Sequence, residues 1–315
     1  MPIESALPKV VAIVTTYKPD EGVFASLSAI MKACPVTIVV DNGSPAEFAE
    51  ILDRIEALVS GVVRQVDNRG LANALNVGVS EAIAGFNAEY VLTFDQDTQP
   101  DANYVEESLA ALRTATEAGL DVALTCAGRN NDWTLQNLER ISGVDVAVEA
   151  LQSGFLLPVT TIERIGEFRD SFFIDCVEIE YMFRARAHGL HCVVASDAHI
   201  VHTVGDRIAV SLRSKQLYVF GRKLEFSYHG PLRRYYITRN RFILFGLYAR
   251  SNKRWALRQF ITETKIALLC LLFGPQKPRQ VLAFWAGLSA ALRGKEGKVP
   301  DRVAQILVGT QRVAS

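Results

Sequence analysis

Four short runs of aliphatic and β-branched residues alternate with segments of helical periodicity in the first 100 residues, and this alternation most constrains the fold. The apolar runs are residues 9–16, 36–40, 61–66 and 90–94, and the helical segments between them are residues 21–32, 46–58 and 71–84. Continuous apolar runs of this length are typical of strands covered on both faces. Their alternation with helices through short loops predicts an α/β fold with a mostly parallel central sheet.

Each of the four apolar runs ends in a polar cluster. The clusters are residues 15–20, 41–44, 67–70 and 95–97. Right-handed crossovers bring the carboxyl ends of parallel strands to one edge of the sheet, where open α/β proteins bind ligands. We therefore expect the four clusters to converge in space.

The fourth cluster contains two carboxylates, Asp95 and Asp97, with one residue between them. Two hard oxygen donors at this spacing can share a divalent cation with a substrate diphosphate, because Mg²⁺ keeps few protein ligands and several waters. The plainer interpretation is a strand that ends in polar turn residues before Pro100. Two aspartates alone are a weak signal, so the surrounding motifs must decide.

The second and third clusters also have two interpretations each. Asn42 and Gly43 favour a turn in which Asp41 accepts hydrogen bonds from backbone amides. The functional alternative is that Asp41 accepts a hydrogen bond from the imide N–H of a uracil or thymine ring. Residues 68–78 can begin a helix with inert surface amides, or can supply polar groups that suit a nucleotide at a strand end.

Several classes of protein are disfavoured by motifs that the sequence lacks. No G-x-G-x-x-G follows the first apolar run and no G-x-x-x-x-G-K-[ST] occurs, which disfavours dinucleotide dehydrogenases and P-loop ATPases. Five cysteines without a C-x-x-C pair predict neither a disulfide framework nor a zinc site, and they favour a reducing cytosol. We also expect no signal sequence and no spanning helix, since no apolar run approaches roughly 18 residues.

Charge is balanced overall but unevenly distributed. Lys and Arg number 34 and Asp and Glu number 34, so the net charge does not predict nucleic acid as a partner. Residues 226–262 contain no acidic residue and eight Arg or Lys residues. This basic block predicts a local anionic partner such as lipid headgroups or phosphates, and a solvated basic helix is the alternative.

From residue 242 onward the chain is predicted to be helical and largely apolar. Residues 266–273 and 281–292 are the most apolar segments. Arg and Lys residues flank them, together with Trp255 and Trp285, and this pattern predicts amphipathic helices at a membrane interface. The alternative is a helical subdomain that packs on the main sheet or on a second subunit of a homo-oligomer.

Three motifs together resemble those of family 2 glycosyltransferases, most closely the bacterial rhamnosyltransferases. The motifs are residues 39–44, 68–78 and 92–97, in this order, and the resemblance extends over roughly residues 8–245. It implies a GT-A fold, a nucleotide-sugar donor, a divalent cation (Mg²⁺ or Mn²⁺) and inversion of the anomeric carbon. It further implies dTDP-L-rhamnose as donor, a polyprenyl-linked or cell-surface glycan as acceptor, and a cytoplasmic enzyme peripheral on the inner face of the cell membrane.

The resemblance also assigns roles to single residues. The nucleotide-sugar-binding residues that it implies are Thr15, Tyr17, Asp41, Asn68, Arg69, Asn76, Asp95, Gly154 and Arg239. The first three are expected along the base and ribose, and Gly154 is expected where the backbone approaches the sugar. Arginines such as Arg239 bind a diphosphate bidentately. Asp97 and His202 are the implied metal ligands, with His199 the lesser alternative to His202.

Counting back from Arg184 places the acidic residue of the family's catalytic motif at Glu178, where the family usually has Asp. The family often has a second acid just before it, where this chain has Val177. Glu178 is therefore the expected general base and Asp175 the reserve candidate, since a base must reach the acceptor hydroxyl with a tuned pKa. The competing interpretation is a capping box, in which Asp175 is the N-cap and Glu178 bonds back to its amide.

These expectations divide the chain into a GT-A domain at residues 1–230 and a basic, amphipathic helical region at residues 231–315. Within the same class, another UDP- or dTDP-hexose is the alternative donor. Two other classes remain as alternatives. A nucleotidyltransferase would normally carry a Gly- and Arg-rich loop after the first strand, which residues 15–19 lack. A non-catalytic glycan-binding protein would bind without turnover.

Overall fold

The structure is a computed structural model that describes residues 8–131, 133–136, 138–202, 206–212, 215–216, 218–219 and 222–309. The chain forms two compact units, which are described separately. The described residues of the first unit are 8–173 and 177–202, and those of the second are 174–176 and 206–309. This division by compactness lies earlier in the chain than residue 230, and the predicted functional boundary at residue 230 stays a prediction.

The first unit is an α/β domain. Its strands are β1 (Val10–Thr16), β2 (Thr37–Asp41), β3 (Gly61–Arg64), β4 (Tyr90–Asp95), β5 (Gln99–Pro100), β6 (Val122–Asn130), β7 (Trp133–Thr134), β8 (Leu138–Ile141), β9 (Val144–Ala147), β10 (Phe155–Pro158) and β11 (His191–Val201). Its helices are α1 (Val23–Ala33), α2 (Ala49–Glu56), α3 (Leu71–Phe86), α4 (Tyr104–Glu117), α5 (Val159–Ile165) and α6 (Val177–Ala187), with two 3₁₀ turns at Ala46–Phe48 and Asp170–Phe172.

These strands form one mixed sheet in the order β3-β2-β1-β4-β10-β6-β11-β9-β8, with β5 paired to β11 and β7 paired to β6. Strands β3, β2, β1 and β4 are parallel, as the sequence predicts, and β10 runs antiparallel between β4 and β6. The register places Thr16 beside Asp41 and Thr15 beside Asp95. The polar ends of the first four strands therefore lie at one edge of the sheet.

The core of the first unit lies on both faces of this sheet, which explains the continuous apolar runs. Val14, Val39 and Leu92 are fully buried in β1, β2 and β4. Ile30 of α1 and Tyr104 of α4 are also fully buried, and the Tyr104 ring meets Phe94 edge-on with centroids 5.7 Å apart. Each buried side chain of this size contributes about 1.5–3 kcal/mol, so this core holds the sheet edge in place.

The second unit begins with short antiparallel strands and continues with helices. The strands are β12 (Asp206–Ala209), β13 (Ser211–Leu212), β14 (Lys215–Gln216), β15 (Tyr218–Val219), β16 (Arg222–Lys223) and β17 (Glu225–Tyr228). The helices are α7 (Pro231–Tyr248), α8 (Lys253–Phe273), α9 (Lys277–Leu292) and α10 (Asp301–Val308). β12 pairs with β17, and the two smaller pairs lie between them in the chain.

The helices α7 and α9 pack closely at Gly287. A Cβ atom at this position would lie 2.6 Å from the Tyr235 carbonyl oxygen, so only glycine allows the two backbones to approach this far. A separate cluster buries Val210, Phe226 and Cys270, which joins the strands of the second unit to α8. Among the residues that the structure describes, no helix is long and apolar enough to cross a membrane.

Candidate active site

Three potential metal ligands meet where β4 and β11 end. β4 ends at Asp95, and the chain turns through Asp97 into β5, which pairs antiparallel with the last residues of β11. This pairing brings His202, the residue after β11, beside the turn. One ligand atom from each of Asp95, Asp97 and His202 lies within 4.8 Å of the other two. Residues more than 100 positions apart in the chain are thus assembled by strand pairing.

The His202 imidazole lies between the two carboxylates. Its Nδ1 atom is 3.1 Å from Asp97 Oδ1 and 3.0 Å from Thr98 Oγ1, and its Nε2 atom is 3.7 Å from Asp95 Oδ2. The imidazole is 11% exposed, while the side chains of Asp95 and Asp97 are 31% and 50% exposed. The cluster therefore has a sheltered nitrogen donor and carboxylates that solvent or a ligand can reach.

Hydrogen bonds from neighbouring strands fix the position of this cluster. The His202 N–H donates to Asn130 Oδ1 at 3.0 Å, and Asn131 Nδ2 donates to the His202 carbonyl at 2.9 Å. The Asp95 N–H donates to Ser153 Oγ at 3.1 Å, and Ser153 Oγ lies 2.7 Å from Thr98 Oγ1. These supporting residues could not be predicted from the sequence, because asparagine and serine at strand ends are common in ordinary turns.

The donor set fits a divalent cation such as Mg²⁺ or Mn²⁺. Carboxylate oxygens suit both ions, and an imidazole nitrogen is a common additional ligand for transition metals such as Mn²⁺. His199 lies elsewhere, since its Nδ1 atom is 2.8 Å from Arg129 Nη2 and 3.3 Å from Asp101 Oδ2. Of the two histidines, His202 is therefore the one that the structure brings to Asp97.

Asp41 lies at the same sheet edge, but its carboxylate is used within the turn that follows β2. Asp41 Oδ2 accepts the Ser44 N–H at 2.8 Å, and Oδ1 accepts the hydroxyls of Ser44 and Thr16 at 2.6 and 3.3 Å. Only 1% of Asp41 is exposed. The turn interpretation is thus observed, and recognition of a pyrimidine ring by Asp41 stays a prediction.

The loop after β1 is tied to the turn after β4. Thr15 is buried in register with Asp95, and the Tyr17 N–H donates to Gln96 Oε1 at 2.9 Å. The Tyr17 residue is 40% exposed. A cavity of about 410 Å³ lies between the start of α1 and this turn, and Asp97 is part of its lining. The predicted base-binding residues are therefore joined to the carboxylate turn through backbone contacts.

The third strand end also joins this edge. The Arg69 N–H donates to Asn42 Oδ1 at 3.0 Å, which connects the loop before α3 to the turn after β2. Asn68 Oδ1 accepts the Gly70 N–H at 3.1 Å and so shapes the start of α3. The Arg69 side chain is exposed. Its guanidinium is accordingly accessible to an anion, while Asn68 has a structural role in this loop.

Asn76, which was expected to contact the nucleotide, makes its hydrogen bonds within the first unit, and nucleotide binding by this residue stays a prediction. Asn76 is only 6% exposed, and its Nδ2 atom donates to the Phe168 carbonyl at 2.8 Å and to Asp170 Oδ1 at 2.6 Å. Its Oδ1 atom accepts the Phe168 N–H at 3.0 Å. Asn73 Nδ2 donates to Asp170 Oδ2 at 2.9 Å. Both amides therefore hold the 3₁₀ turn at Asp170–Phe172 against α3.

The first unit contains a structural reason for the glycine at position 154, and the approach of a sugar there stays a prediction. Gly154 has φ +97°, and a Cβ atom there would lie 2.4 Å from the Tyr104 hydroxyl oxygen. That hydroxyl donates to the Gly154 carbonyl at 2.6 Å. The space that the missing side chain leaves is thus filled by Tyr104, and no approach of a sugar is needed to explain the glycine.

Glu178, the expected general base, lies in the first turn of α6 and is half-buried. The helix is anchored by Arg184, which donates to the carbonyls of Ile165 and Glu167 at 2.6 and 2.8 Å. Arg184 also forms a 2.8 Å ion pair with Glu180, whose side chain is 3% exposed. The arginine that marks the family motif thus fixes α6 in the first unit, and Glu180 is its internal partner.

Asp175, the reserve candidate, belongs to the second unit. The Arg233 Nε atom donates to its two carboxylate oxygens at 2.9 and 3.2 Å, and Asn240 Nδ2 donates to its carbonyl at 2.8 Å. Burial raises the pKa of the Asp175 carboxyl, and the Arg233 guanidinium offsets part of that rise. A raised pKa suits a base, but this carboxylate is held by an arginine in the same unit.

Arg239, which was expected to bind a diphosphate, is surrounded by residues of the second unit, and its role at a diphosphate stays a prediction. Arg239 is 1% exposed, its Nη1 atom donates to the Gly297 carbonyl and its Nε atom donates to Asn240 Oδ1 at 2.9 Å. The guanidinium also lies over the rings of Tyr236 and Tyr235, at 5.0 and 5.7 Å from their centroids. Burial lowers the pKa of Arg239. The residue stabilises the interior of the helical unit.

Comparison with known sequences shows which proteins this chain is similar to. Residues 36–172 match the sequence model of glycosyl transferase family 2. The chain is 22% identical over 246 residues to the dTDP-rhamnosyl transferase RfbF of Shigella flexneri, covering 74% of this chain and 78% of that protein.

Two solved structures share the fold. Residues 1–349 of S. aureus TarS, in complex with UDP-GlcNAc, align with a TM-score of 0.55 and 17% identity, covering 95% of this chain and 84% of that one. The mannosyltransferase PcManGT from Pyrobaculum calidifontis, in complex with GDP-Man and Mn²⁺, aligns with a TM-score of 0.55 and 17% identity, covering 96% and 79%. The predicted GT-A-like fold is confirmed.

Proposed function

Because the chain is a glycosyltransferase of the family 2 type, similar to bacterial rhamnosyltransferases, we propose that it transfers L-rhamnose from dTDP-L-rhamnose to a lipid-linked or cell-surface glycan with inversion of the anomeric carbon. The observation that carries the proposal is the cluster of Asp95, Asp97 and His202 at the sheet edge. Two accessible carboxylates and an imidazole provide the ligands that a cation bound to a nucleoside diphosphate needs. The similarity to RfbF supports rhamnose as the sugar.

Asp97 and His202 are the residues that would hold a divalent cation, with Asp95 beside them. When bound, such a cation supplies Lewis-acid neutralisation of the charge that develops on the leaving diphosphate. The chain itself contributes the placement of the ligands, because β5 and β11 pair and the imidazole is held between two carboxylates. The Mn²⁺ bound by the mannosyltransferase neighbour supports a metal site of this kind in the fold.

Glu178 is proposed to remove the proton of the acceptor hydroxyl. As the acceptor oxygen bonds to the anomeric carbon, the bond from that carbon to the diphosphate breaks on the opposite face, and the hydroxyl proton passes to the Glu178 carboxylate. General-base assistance of this kind contributes about 10²–10⁴-fold to a rate. The anchoring of α6 by Arg184 supports the role, since a base must be held in position.

Tyr17 and Arg69 are the donor-binding residues that the geometry supports best. Both side chains are exposed at the carboxyl edge of the parallel strands, and the backbone of each is fixed by a hydrogen bond to a neighbouring loop. The exposed Tyr17 ring can stack on a base, and the Arg69 guanidinium can pair with a phosphate. We further propose that the enzyme acts on the cytoplasmic face of the cell membrane, where a lipid-linked acceptor would be presented.

The proposal is tested by measuring the release of nucleoside diphosphate from a panel of donors. The panel contains dTDP-L-rhamnose, UDP-glucose, UDP-GlcNAc and GDP-mannose, each with and without EDTA, in the presence of lipid-linked glycan acceptors. The expected result is turnover of dTDP-L-rhamnose that EDTA abolishes and Mn²⁺ or Mg²⁺ restores. Preferential turnover of a UDP- or GDP-hexose would show that this sugar nucleotide, and not dTDP-L-rhamnose, is the donor. Pyrophosphate release from a nucleoside triphosphate would replace the reaction with nucleotidyl transfer.

A further inference from the structure

We propose that helix α8 of the second unit docks on a membrane surface that carries anionic lipid headgroups. The docking surface, here called the α8 face, is an apolar stripe of four side chains. Its members and their exposed fractions are Leu257 (63%), Ile261 (58%), Leu268 (54%) and Leu272 (62%). Isolated exposed leucines are ordinary, but four exposed aliphatic side chains on one face of a helix mark an interaction site.

The spacing of these residues places them on one side of the helix. Ile261 follows Leu257 by four residues, Leu268 follows Ile261 by seven and Leu272 follows Leu268 by four. Spacings of four and seven residues are about one and two helical turns, so the four side chains lie on a single face. The opposite side of α8 is occupied, because Trp255, Gln259 and Cys270 are buried within the second unit. The stripe is therefore not required for the packing of α8 in its own unit.

A shallow groove runs along this face. Its volume is about 450 Å³, and its lining residues are Phe260, Ile261, Thr264, Lys265, Leu268 and Leu269. Phe260 is 56% exposed, which widens the apolar surface beside the stripe. A surface with this shape and composition can enter the interfacial zone of a bilayer, where apolar side chains are buried between headgroups.

The charges that border the stripe indicate which kind of partner binds it. Arg254 and Lys265 are exposed, and each is three or four residues from a member of the stripe. The one acidic residue of α8, Glu263, lies towards the interior, where it pairs with Arg234 and Arg241 at 3.1 and 3.6 Å. An apolar stripe with an exposed cationic border is complementary to an anionic lipid surface.

A second copy of the chain fits this surface less well. In a symmetric dimer whose two-fold axis passes through the middle of the α8 face, the Lys265 side chains of the two copies would lie close together across an apolar contact. Like charges at such close range oppose association, whereas each Lys or Arg near an anionic leaflet favours binding. The inference depends on the surface of the second unit alone, so it stands or fails independently of the donor sugar.

The test is co-sedimentation of the full chain with vesicles of phosphatidylcholine, with and without phosphatidylglycerol. We expect binding to the vesicles that contain phosphatidylglycerol, and about a tenfold or larger loss of affinity in Leu268→Asp, because an apolar side chain leaves the interface and a charge enters it. Leu58→Asp is the matched control, since Leu58 is 53% exposed in the first unit. It should bind like the unsubstituted chain.

A second pair of variants tests the charge border. The double variant Arg254→Glu with Lys265→Glu should remove the preference for phosphatidylglycerol and leave turnover of a soluble acceptor unchanged. Arg113→Glu, at an exposed position of α4 in the first unit, is its control. Thermal unfolding should be unaltered in all four variants, which separates loss of docking from loss of folding.

Two outcomes would overturn the inference. One is vesicle binding that is equal with and without phosphatidylglycerol, or equal in Leu268→Asp and the unsubstituted chain. The other is a dimer in solution that Leu268→Asp dissociates, in a protein that does not sediment with vesicles. The second outcome would assign the α8 face to contact between two copies of the chain.

Discussion

The carboxyl edge of β4 and the basic helix α7 were both predicted to bind a donor diphosphate, and their structures differ. At the β4 edge, the carboxylates of Asp95 and Asp97 are 31% and 50% exposed and meet His202. In α7, Arg239 is 1% exposed and Arg234 is 5% exposed. The β4 edge leaves its carboxylates accessible to solvent, while Arg234 and Arg239 of α7 are used inside the protein.

The difference shows which kind of sequence pattern can locate a site. Parallel strands must end at one sheet edge, so the polar residues after them converge whatever the side chains are. A run of arginines on a helix carries no such constraint, because a long side chain can pack along aromatic rings and donate to buried carbonyls. Arg239 does both, with Tyr236 and Gly297 as partners.

The largest expected effect separates Glu178 of the first unit from Asp175 of the second. Glu178→Gln should lower kcat by about 10²–10⁴-fold, because the amide cannot accept the acceptor proton, while donor binding and thermal stability are retained. Steady-state kinetics with dTDP-L-rhamnose and the dissociation constant for dTDP provide the measurement.

Asp175→Asn is the matched control for that variant. It removes the charge that pairs with Arg233, so the expected result is a lower free energy of unfolding with kcat reduced less than in Glu178→Gln. Full activity in Glu178→Gln, together with an inactive but stably folded Asp175→Asn, would assign the role of general base to Asp175 instead of Glu178.

The next comparison uses two arginines that were given the same role. Arg239→Met should lower the free energy of unfolding by about 1–3 kcal/mol, because the Gly297 carbonyl and Asn240 Oδ1 lose their donor, and should leave the donor KM unchanged. Arg69→Met should raise the donor KM by roughly tenfold through the loss of one charged contact, without a change in stability. Chemical denaturation and donor titration are the two measurements.

The reverse pattern would reject this assignment. If Arg239→Met raised the donor KM and left stability intact, the guanidinium would have to leave its pocket and reach the diphosphate. The distinction between an open strand edge and a closed helical interior would then be wrong.

The smallest expected effect is a pH dependence within the second unit. Burial, together with the nearby charges of Arg233 and Arg234, lowers the pKa of His229 to about 4. The unfolded chain binds a proton at this histidine near pH 6.5, whereas the folded chain binds it only near pH 4. The free energy of unfolding is therefore highest above pH 6.5 and falls as the pH falls towards 4. Unfolding should become easier by about 1–2 kcal/mol over this interval, after allowance for partial exposure.

His229→Gln should flatten that dependence, as measured by denaturation at several pH values. His188→Gln, at an exposed position of the first unit, is the control and should keep the slope of the unsubstituted chain. An unaltered slope in His229→Gln would place the acid sensitivity elsewhere.

Much of the fold could be predicted from the sequence because its main signals are local and repeated. The predicted strand at residues 90–94 is β4, and the predicted helix at residues 71–84 is α3. β11 lies outside that repeated pattern of the first 100 residues, and it extends to Val201. That extension pairs with β5 and delivers His202 to the carboxylates.

Residues whose role depends on a distant partner could not be placed by pattern. Asn76 looks like a surface amide of a nucleotide motif, yet it bonds to Phe168 and Asp170, more than 90 residues away. Gly154 looks like a site of approach for a sugar, yet Tyr104 fills the space above it. These partners are visible only in the packing of α3 and α4, and the periodicity of apolar residues along the sequence does not predict that packing.

The most direct test of the central claim is Mn²⁺ binding to the chain in the presence of dTDP, measured by titration of the free-ion electron paramagnetic resonance signal. Asp97→Asn should weaken Mn²⁺ binding by about tenfold or more, because a charged ligand is lost. Asp101→Asn, a neighbouring exposed carboxylate beside His199, should bind Mn²⁺ like the unsubstituted chain. Equal Mn²⁺ affinity in Asp97→Asn and the unsubstituted chain would contradict a metal site at the β4 edge.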